Sequence, residues 1–390
     1  MCRSARLRLS FLLSMGPNES ICLPHVMIII YFCACSVHCD EALACAMLKI
    51  LPAWSGAVIV RTRDEEELAK CNVVVDVGGI YDPKTLRFDH HQKTFSDTLS
   101  EESFSTKLSS AGLVYRHFGH EILTRMVEGT SIPKEVVNKK FYGRVYKSFV
   151  EHIDGIDNGI MVADGMMKYQ VSSTLSDRVA KLNPHWNEEA EDGPLLANER
   201  FKQAMSLASG EFIETVLGLS NSWWPGRAIV QDSISMRKEA HPSGQVVVLT
   251  GYCPWKSHLV EIEEEMGLGG EFKYVLYAEG GNSKSWRIQA VPLVEGSFEL
   301  RLGLPKEWRG LRNAELSTAS GIEGTLQCPT VDCQVARNKE TGDSNCNNLS
   351  PVENQWDGNG KWKHMFFCQP ARATVKLYMQ LILIYMCLAL

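Results

Sequence analysis

The sequence has no excess of positive charge. Its 40 Lys and Arg face 46 Asp and Glu, which leaves a net charge of -6 and a pI near 6.0. That balance excludes a protein that coats nucleic acid by bulk charge and confines any nucleic-acid contact to a local cleft. There is also no uninterrupted apolar run of the roughly 20 residues needed to cross a bilayer. Residues 21–37 are apolar but contain Pro24 and His25, and residues 377–390 are shorter still. The first run reads as a buried strand over residues 26–32 in preference to a secretory h-region. The second leaves a tail anchor as the lesser alternative, and no stable membrane insertion is expected. No internal repeat is present.

Cysteine is scarce where a disulfide framework would need it. Of 13 cysteines, only Cys253 lies between Cys71 and Cys328. A secreted, cross-linked fold spreads its cysteines through the chain, so these read as reduced thiols of an intracellular protein. Cys33, Cys35, His38 and Cys39 are close together, but their spacing fits no standard zinc finger. Acidic residues are missing before Glu19, while Arg3, Arg6 and Arg8 fall in the same stretch. That composition suits a mitochondrial transit segment over residues 1–25.

What is present is enough chain, 390 residues, for two domains with sizeable cores. Asp40-Glu41 opens a helix in which Leu43, Met47, Ile50 and Leu51 recur at helical spacing, and Pro52 ends it. Residues 57–60 read as a strand and residues 64–68 as a helical turn. Residues 72–77 form a β-branched run without alternation, the pattern of a strand buried on both faces of a parallel sheet. Gly78-Gly79 breaks it. Helices are expected from Ser109 or Ser110 onward and over residues 141–153. Such alternation predicts an α/β domain, here residues 26–195, in which ligands sit beyond the carboxyl ends of the strands. Residues 183–198 read as a linker or exposed loop. A smaller α+β domain over residues 196–324 follows, with a helix at residues 201–217 and strands at 246–249, 274–277 and 286–291. The last two strands flank Gly280-Gly281-Asn282 as a hairpin. Residues 325–390 lack periodicity and are expected to be disordered.

The strongest chemical signal is Asp89-His90-His91, joined by His38-Cys39-Asp40, by Asp76 at a strand end, and by Ile153-Asp154-Gly155-Ile156-Asp157-Asn158-Gly159. Four segments thus supply imidazoles and carboxylates together. Mixed nitrogen and oxygen donors suit Mn²⁺, Zn²⁺ or Fe²⁺ better than an all-oxygen magnesium site. Two ions about 4 Å apart activate water near neutral pH and clamp both oxygens of a phosphoryl displacement. Asp76 is the expected shared carboxylate. Plainer roles exist for each residue: Asp40 as a helix cap, Asp76 closing a turn with Gly78, Asp154 and Asp157 as turn residues, His38 as a polar loop residue.

Longer runs carry a resemblance. His38-Cys39-Asp40-Glu41-Ala42-Leu43-Ala44-Cys45, Val75-Asp76-Val77-Gly78-Gly79, Tyr81-Asp82-Pro83, Asp89-His90-His91-Gln92 and Lys107-Leu108-Ser109-Ser110-Ala111-Gly112 resemble the melanocyte proliferating gene 1 family, a branch of the DHH phosphoesterases. Leu182-Asn183-Pro184, Cys253-Pro254-Trp255-Lys256 and Trp308-Arg309-Gly310-Leu311-Arg312 extend the match, which spans roughly residues 37–324. The resemblance implies a DHH-type parallel-sheet domain followed by the smaller domain. It also implies a 3′-to-5′ exonuclease of single-stranded RNA, found in nucleus and mitochondrion and carrying two divalent ions, Mn²⁺ foremost.

On that reading His38, Asp40, Asp76, His90 and Asp154 bind metal, with Asp157 the substitute if Asp154 points away. His91 contacts the phosphate, and Lys107, Ser109 and Ser110 lie near the same cleft. Two departures stand out. The family's Thr-His-Asn-Gly-Thr-Phe segment is replaced by Phe32-Cys33-Ala34-Cys35-Ser36-Val37, so Cys33 stands where a ligand histidine is expected. Thiolate suits Mn²⁺ poorly. The family's glycine-rich segment beyond Gly324 is also missing, which makes an impaired member one expectation. The rival readings are a hydrolase of small phosphate compounds and a non-catalytic metal-binding protein.

Overall fold

The computed structural model describes residues 27–30, 36–100, 103–188, 193–279, 286–321, 325–328 and 332–335. The transit-like segment, Cys33 and most of the tail lie outside them. The chain divides into two compact units, Met1–Leu219 and Ser220–Leu390. Both mix small sheets with helices.

In the first unit, strand β1 (Met27–Ile30) is followed by helix α1 (Cys39–Ile50), β2 (Val58–Arg61), α2 (Glu65–Ala69), β3 (Val73–Val75), β4 (Tyr81–Asp82), β5 (Arg87–Phe88) and α3 (Ser110–Met126). The sheet order is β2-β1-β3-β5-β4. All neighbouring pairs are parallel except the β4–β5 edge, which is antiparallel. Val73, Val74 and Val75 are all buried, as the run without alternation predicts. Helix α1 is buried from Cys39 to Leu48, because Ala42, Ala44 and Ala46 fill the positions where a surface helix carries charge. It packs against α3 and against α6 (Gly193–Gly218).

The helix expected over residues 141–153 belongs to a longer helical run that starts at Lys134. It passes through π geometry at Val137–Phe141 and Tyr146–Val150 and ends in α4 (Glu151–Asp157). A short α5 (Leu175–Ala180) is held by a Thr174–Asp177 capping box. The linker expected over residues 183–198 ends sooner. Residues 193–198 already belong to α6, which tolerates Pro194 because a first-turn proline forfeits no intrahelical hydrogen bond. The division expected after residue 195 therefore falls inside this helix.

The second unit carries α7 (Trp224–Ser235), β6 (Val246–Val248), α8 (Trp255–Glu265), β7 (Tyr274–Ala278), β8 (Trp286–Ala290), α9 (Asn313–Ser320), β9 (Thr325–Gln327) and β10 (Asp332–Val335). Its sheet order is β6-β7-β8-β10-β9, with β6–β7 parallel and the other pairs antiparallel. The period of two divides its core. Val246, Tyr274, Leu276 and Ile288 pack on the face that includes Leu316 of α9. Val247, Val275 and Tyr277 face Val230 of α7 and Leu259 of α8. β9 and β10 correct the expectation of disorder for residues 325–327 and 332–335. The short run Asp332-Cys333-Gln334-Val335 alternates polar and apolar residues, and it becomes a strand by pairing along the edge of β8.

Candidate metal centre

β1, β3 and β5 are adjacent and parallel, and their carboxyl ends are level: Ile30 pairs with Val75, and Val75 with Phe88. The chain leaves β1 toward β2 on one side, while β3 lies on the other. That reversal is the point at which α/β sheets bind ligands. Every sequence-predicted metal residue follows from these ends or lies on α4, which carries both Asp154 and Asp157. Asp76 comes immediately after β3 and Asp89-His90-His91 immediately after β5. His38 and Asp40 stand at the start of α1, the next described element after β1 in the chain.

Local forces hold each piece. His38 is the N-cap of α1, and its backbone N–H donates to Glu41 Oε1 at 2.9 Å. Asn183, from the Leu182-Asn183-Pro184 run, accepts from Val37 N–H and donates its Nδ2 to Val37 O at 3.1 Å, clasping the loop just before His38. Asp76 takes a left-handed backbone (φ 63°) that few non-glycine residues adopt outside functional sites, and Gly78 and Gly79 continue the turn at positive φ. Its carboxylate oxygen Oδ1 accepts from Ser110 Oγ at 2.8 Å. Asp89 accepts from Gly79 N–H at 2.6 Å and from His91 N–H at 2.9 Å, and its Oδ1 lies 2.7 Å from His91 Nδ1. Burial pushes Asp89 up, but the hydrogen bonds from His91 and Gly79 outweigh it and hold its carboxyl below the usual range.

Atoms able to hold a metal ion gather in two groups. Asp76, His90 and His91 each bring one within 4.8 Å of the others, and so do His38, Asp40 and Asp157. His90 joins the groups, with Nε2 3.0 Å from Asp157 Oδ2 and 3.4 Å from Asp76 Oδ1. Burial disfavours the charged form of His90, yet the Asp157 and Asp76 carboxylates more than compensate and hold its pKa at about 9. Asp40 is 1% exposed, and neither of its oxygens finds a well-formed hydrogen bond. Burial, then the nearby Asp76 and Asp157 carboxylates, push its pKa well up. It does not cap α1, since that place belongs to His38. Asp157 Oδ2 and both ring nitrogens of His90 are likewise buried without a well-formed hydrogen bond. Buried polar atoms are normally paired, and buried carboxylates are paired or bind cations. The donor set therefore fits a divalent cation of the kind that accepts imidazole and carboxylate together.

Other predicted residues are placed differently. Asp154 lies outside both groups, because its oxygens already accept from Ser109 N–H, Ser109 Oγ, Gly112 N–H and Tyr146 Oη. Of the two aspartates left open by the sequence, Asp157 is the one whose carboxylate stands in a group able to hold a metal ion. Ser109 is turned to Asp154, and Ser110 to Asp76. Lys107 accepts from Asn158 Nδ2 through its carbonyl at 3.0 Å, and its Nζ lies 5.6 Å from the centre of the Phe95 ring. Sequence reasoning missed Glu41, Asn183, Gly112 and Tyr146. Glu41 had a signal, an acidic residue three positions after the helix cap. The other three are defined by contacts with distant segments.

A mixed α/β unit with carboxylates and imidazoles converging at its strand ends is the class of protein these observations define. Comparison with known proteins narrows it: residues 33–330 match the model of the uncharacterised protein family UPF0160, and the chain belongs to that family. It is 46% identical over 293 residues to MYG1 protein C27H6.8 of Caenorhabditis elegans, covering 74% of this chain and 84% of that one. It is 46% identical over 295 residues to the human MYG1 exonuclease, covering 74% and 76%. The similar Saccharomyces cerevisiae protein, MYG1 protein YER156C, is 36% identical over 298 residues, with 75% and 86% covered.

Proposed function

We propose that this chain is a metal-dependent phosphodiester hydrolase, specifically a 3′-to-5′ exonuclease of single-stranded RNA. The observation that carries the reading is Asp40, a buried carboxylate without a well-formed hydrogen bond, beside Asp76, Asp157 and His90 at the carboxyl edge of a parallel sheet. Two divalent ions, Mn²⁺ foremost, supply activated water and neutralise phosphate charge when bound. His38, Asp40, Asp76, His90 and Asp157 would hold them, with Asp76 placed just past the end of the central strand of the three. His91 is 57% exposed in its side chain and fixed through Nδ1 by Asp89, so it is the imidazole available to a phosphate oxygen. Lys107 adds positive charge to an acidic protein whose contact with nucleic acid must be local. The name exonuclease borne by the human relative supports the substrate class, and the resemblance supports the polarity and RNA.

The test uses single-stranded RNA labelled at the 3′ or the 5′ end, incubated with Mn²⁺ or with EDTA, beside the same single-stranded DNA and pyrophosphate. Early release of the 3′ label as mononucleotides, dependent on Mn²⁺, is the expected result. Internal cuts or early loss of the 5′ label would overturn the polarity. Preference for pyrophosphate would favour a small-molecule hydrolase. We further propose that the protein acts on transcripts in mitochondrion and nucleus: the Arg-rich composition of residues 1–25 supports the first address and the resemblance the second. A reporter fused to those residues should enter mitochondria, and a cytosolic reporter would count against that address.

A further inference from the structure

The N-terminus of α3 is held by a carboxylate from another helix. Ser109 N–H and Gly112 N–H each donate to Asp154 Oδ1 at 3.0 Å, and Ser109 Oγ donates to the same oxygen at 2.6 Å. Tyr146 Oη donates to Oδ2 at 2.8 Å. A helix leaves its first N–H groups unpaired and carries partial positive charge at that end, so a carboxylate there answers both needs. The contact tolerates no side chain at residue 112: a Cβ on Gly112 would lie 2.2 Å from Asp154 Oδ2. Asp154 is fully buried, and so are Ser109 and Ser110.

The next residue along the helix is Ser110, whose Oγ donates to Asp76 Oδ1 at 2.8 Å. The first turn of α3 therefore joins a fixed point, Asp154, to the carboxylate at the end of β3. Asp76 needs such restraint, since its backbone holds a left-handed conformation at φ 63°. We propose that Asp154 is a positioning residue rather than a metal ligand: by holding the first turn of α3 it sets Ser110, and through Ser110 it sets the carboxylate of Asp76. Tyr146 and Gly112 belong to the same device, one as a donor and one as the space that admits it. The inference rests on the metal-centre reading above for its consequence, and on the hydrogen bonds alone for its geometry. It explains why four donors converge on a carboxylate that contributes no atom to either ligating group.

The experiment measures uptake of Mn²⁺ by the full chain through titration calorimetry, for wild type, Ser110→Ala, Asp154→Asn and the double variant. Thermal unfolding and amide exchange are followed in EDTA. Supporting groups around metal ligands are typically worth 10–100-fold in affinity. Each single variant should weaken Mn²⁺ binding by about that factor without changing stoichiometry, and the double variant should be no weaker than the weaker single one, because both act through one path. In EDTA, Ser110→Ala should unfold close to wild type, and Asp154→Asn should lose slow exchange at Gly112 N–H. Additive losses in the double variant would overturn the proposal. So would an Asp154→Asn protein that lost one bound ion while Ser110→Ala bound normally. Should Asp154→Asn fail to fold, Ser110→Ala and Tyr146→Phe decide in its place, and unchanged affinity in both counts against the path. A wild type that takes up no Mn²⁺ would sink the metal-centre reading instead. Exchange at Gly112 would then decide the positioning role, with unchanged protection in Asp154→Asn overturning it.

Discussion

The two units bury charge in opposite ways. In the second, Glu263 and Arg301 are nearly inaccessible and answer each other: Arg301 Nη1 lies 2.7 Å from Glu263 Oε2, Glu263 Oε1 accepts from Phe272 N–H, and Arg301 donates to Phe272 O. The charges of that pair are met within the protein. In the first, Asp40, Asp76 and Asp157 are brought together beside His90, and Asp40 finds no well-formed hydrogen bond. A satisfied buried pair fixes a fold. A buried group of like charges destabilises a fold, and its persistence points to a ligand of opposite charge. The position of unmet charge, more than of charge itself, separates the catalytic candidate from the scaffold.

The largest effect should come from removing the Asp76 carboxylate. Asp76→Ala is expected to lower Mn²⁺-dependent RNA hydrolysis by about 10³-fold or more, while far-ultraviolet circular dichroism stays close to wild type. Near-normal turnover would erase the distinction between the two units. Next comes the satisfied pair. Glu263→Ala leaves Arg301 buried and unpaired, so it should cost about 3–5 kcal/mol of stability, read by urea unfolding. A loss below about 1 kcal/mol would show that the pair is solvated and the contrast overstated. Smaller again is Gly112→Ala. The Cβ would meet the Asp154 carboxylate at 2.2 Å, and such overpacking costs about 1–3 kcal/mol. The penalty should shrink when Asp154 is Ala as well, and an unchanged penalty would place the clash elsewhere.

Much of this contrast was legible in the sequence, for identifiable reasons. The valines at 73–75 announced a strand buried on both faces, and a strand end is where Asp76 then had to lie. The apolar recurrence in residues 43–51 marked α1, although its burial on every side depends on alanines that look neutral in a periodicity count. Asp89-His90-His91 was visible as a triplet, but the work of Asp89 on His91 and Gly79 was not, because it depends on a turn closed by two glycines. Asp154 and Asp157 were indistinguishable from spacing alone. They stand three residues apart on one helix, and what separates them is the end of α3, 42 or more residues away in sequence. The π stretches at Val137–Phe141 and Tyr146–Val150 and the strand at Asp332–Val335 also escaped, since each depends on packing or pairing that is not local.

The finest test concerns Asp40, where stability and function should part. In the metal-free chain this carboxylate is buried, near Asp76 and Asp157, and its ionised form is disfavoured by both facts. Asp40→Asn keeps the shape and removes the charge. The amide still lacks partners, so only the electrostatic part of the penalty is relieved. In EDTA the variant should therefore be more stable than wild type by about 1–2 kcal/mol, a rise of roughly 2–8 °C in melting temperature for a unit of this size. With Mn²⁺ present the order should reverse, because a ligand that binds only the folded protein stabilises it in proportion to its affinity, and the amide is the poorer ligand. Melting curves of both proteins, with EDTA and with saturating Mn²⁺, contain the whole comparison. If Asp40→Asn melted lower in both conditions, Asp40 would be an ordinary structural residue, and the first unit would bury its charge for the same reason as the second.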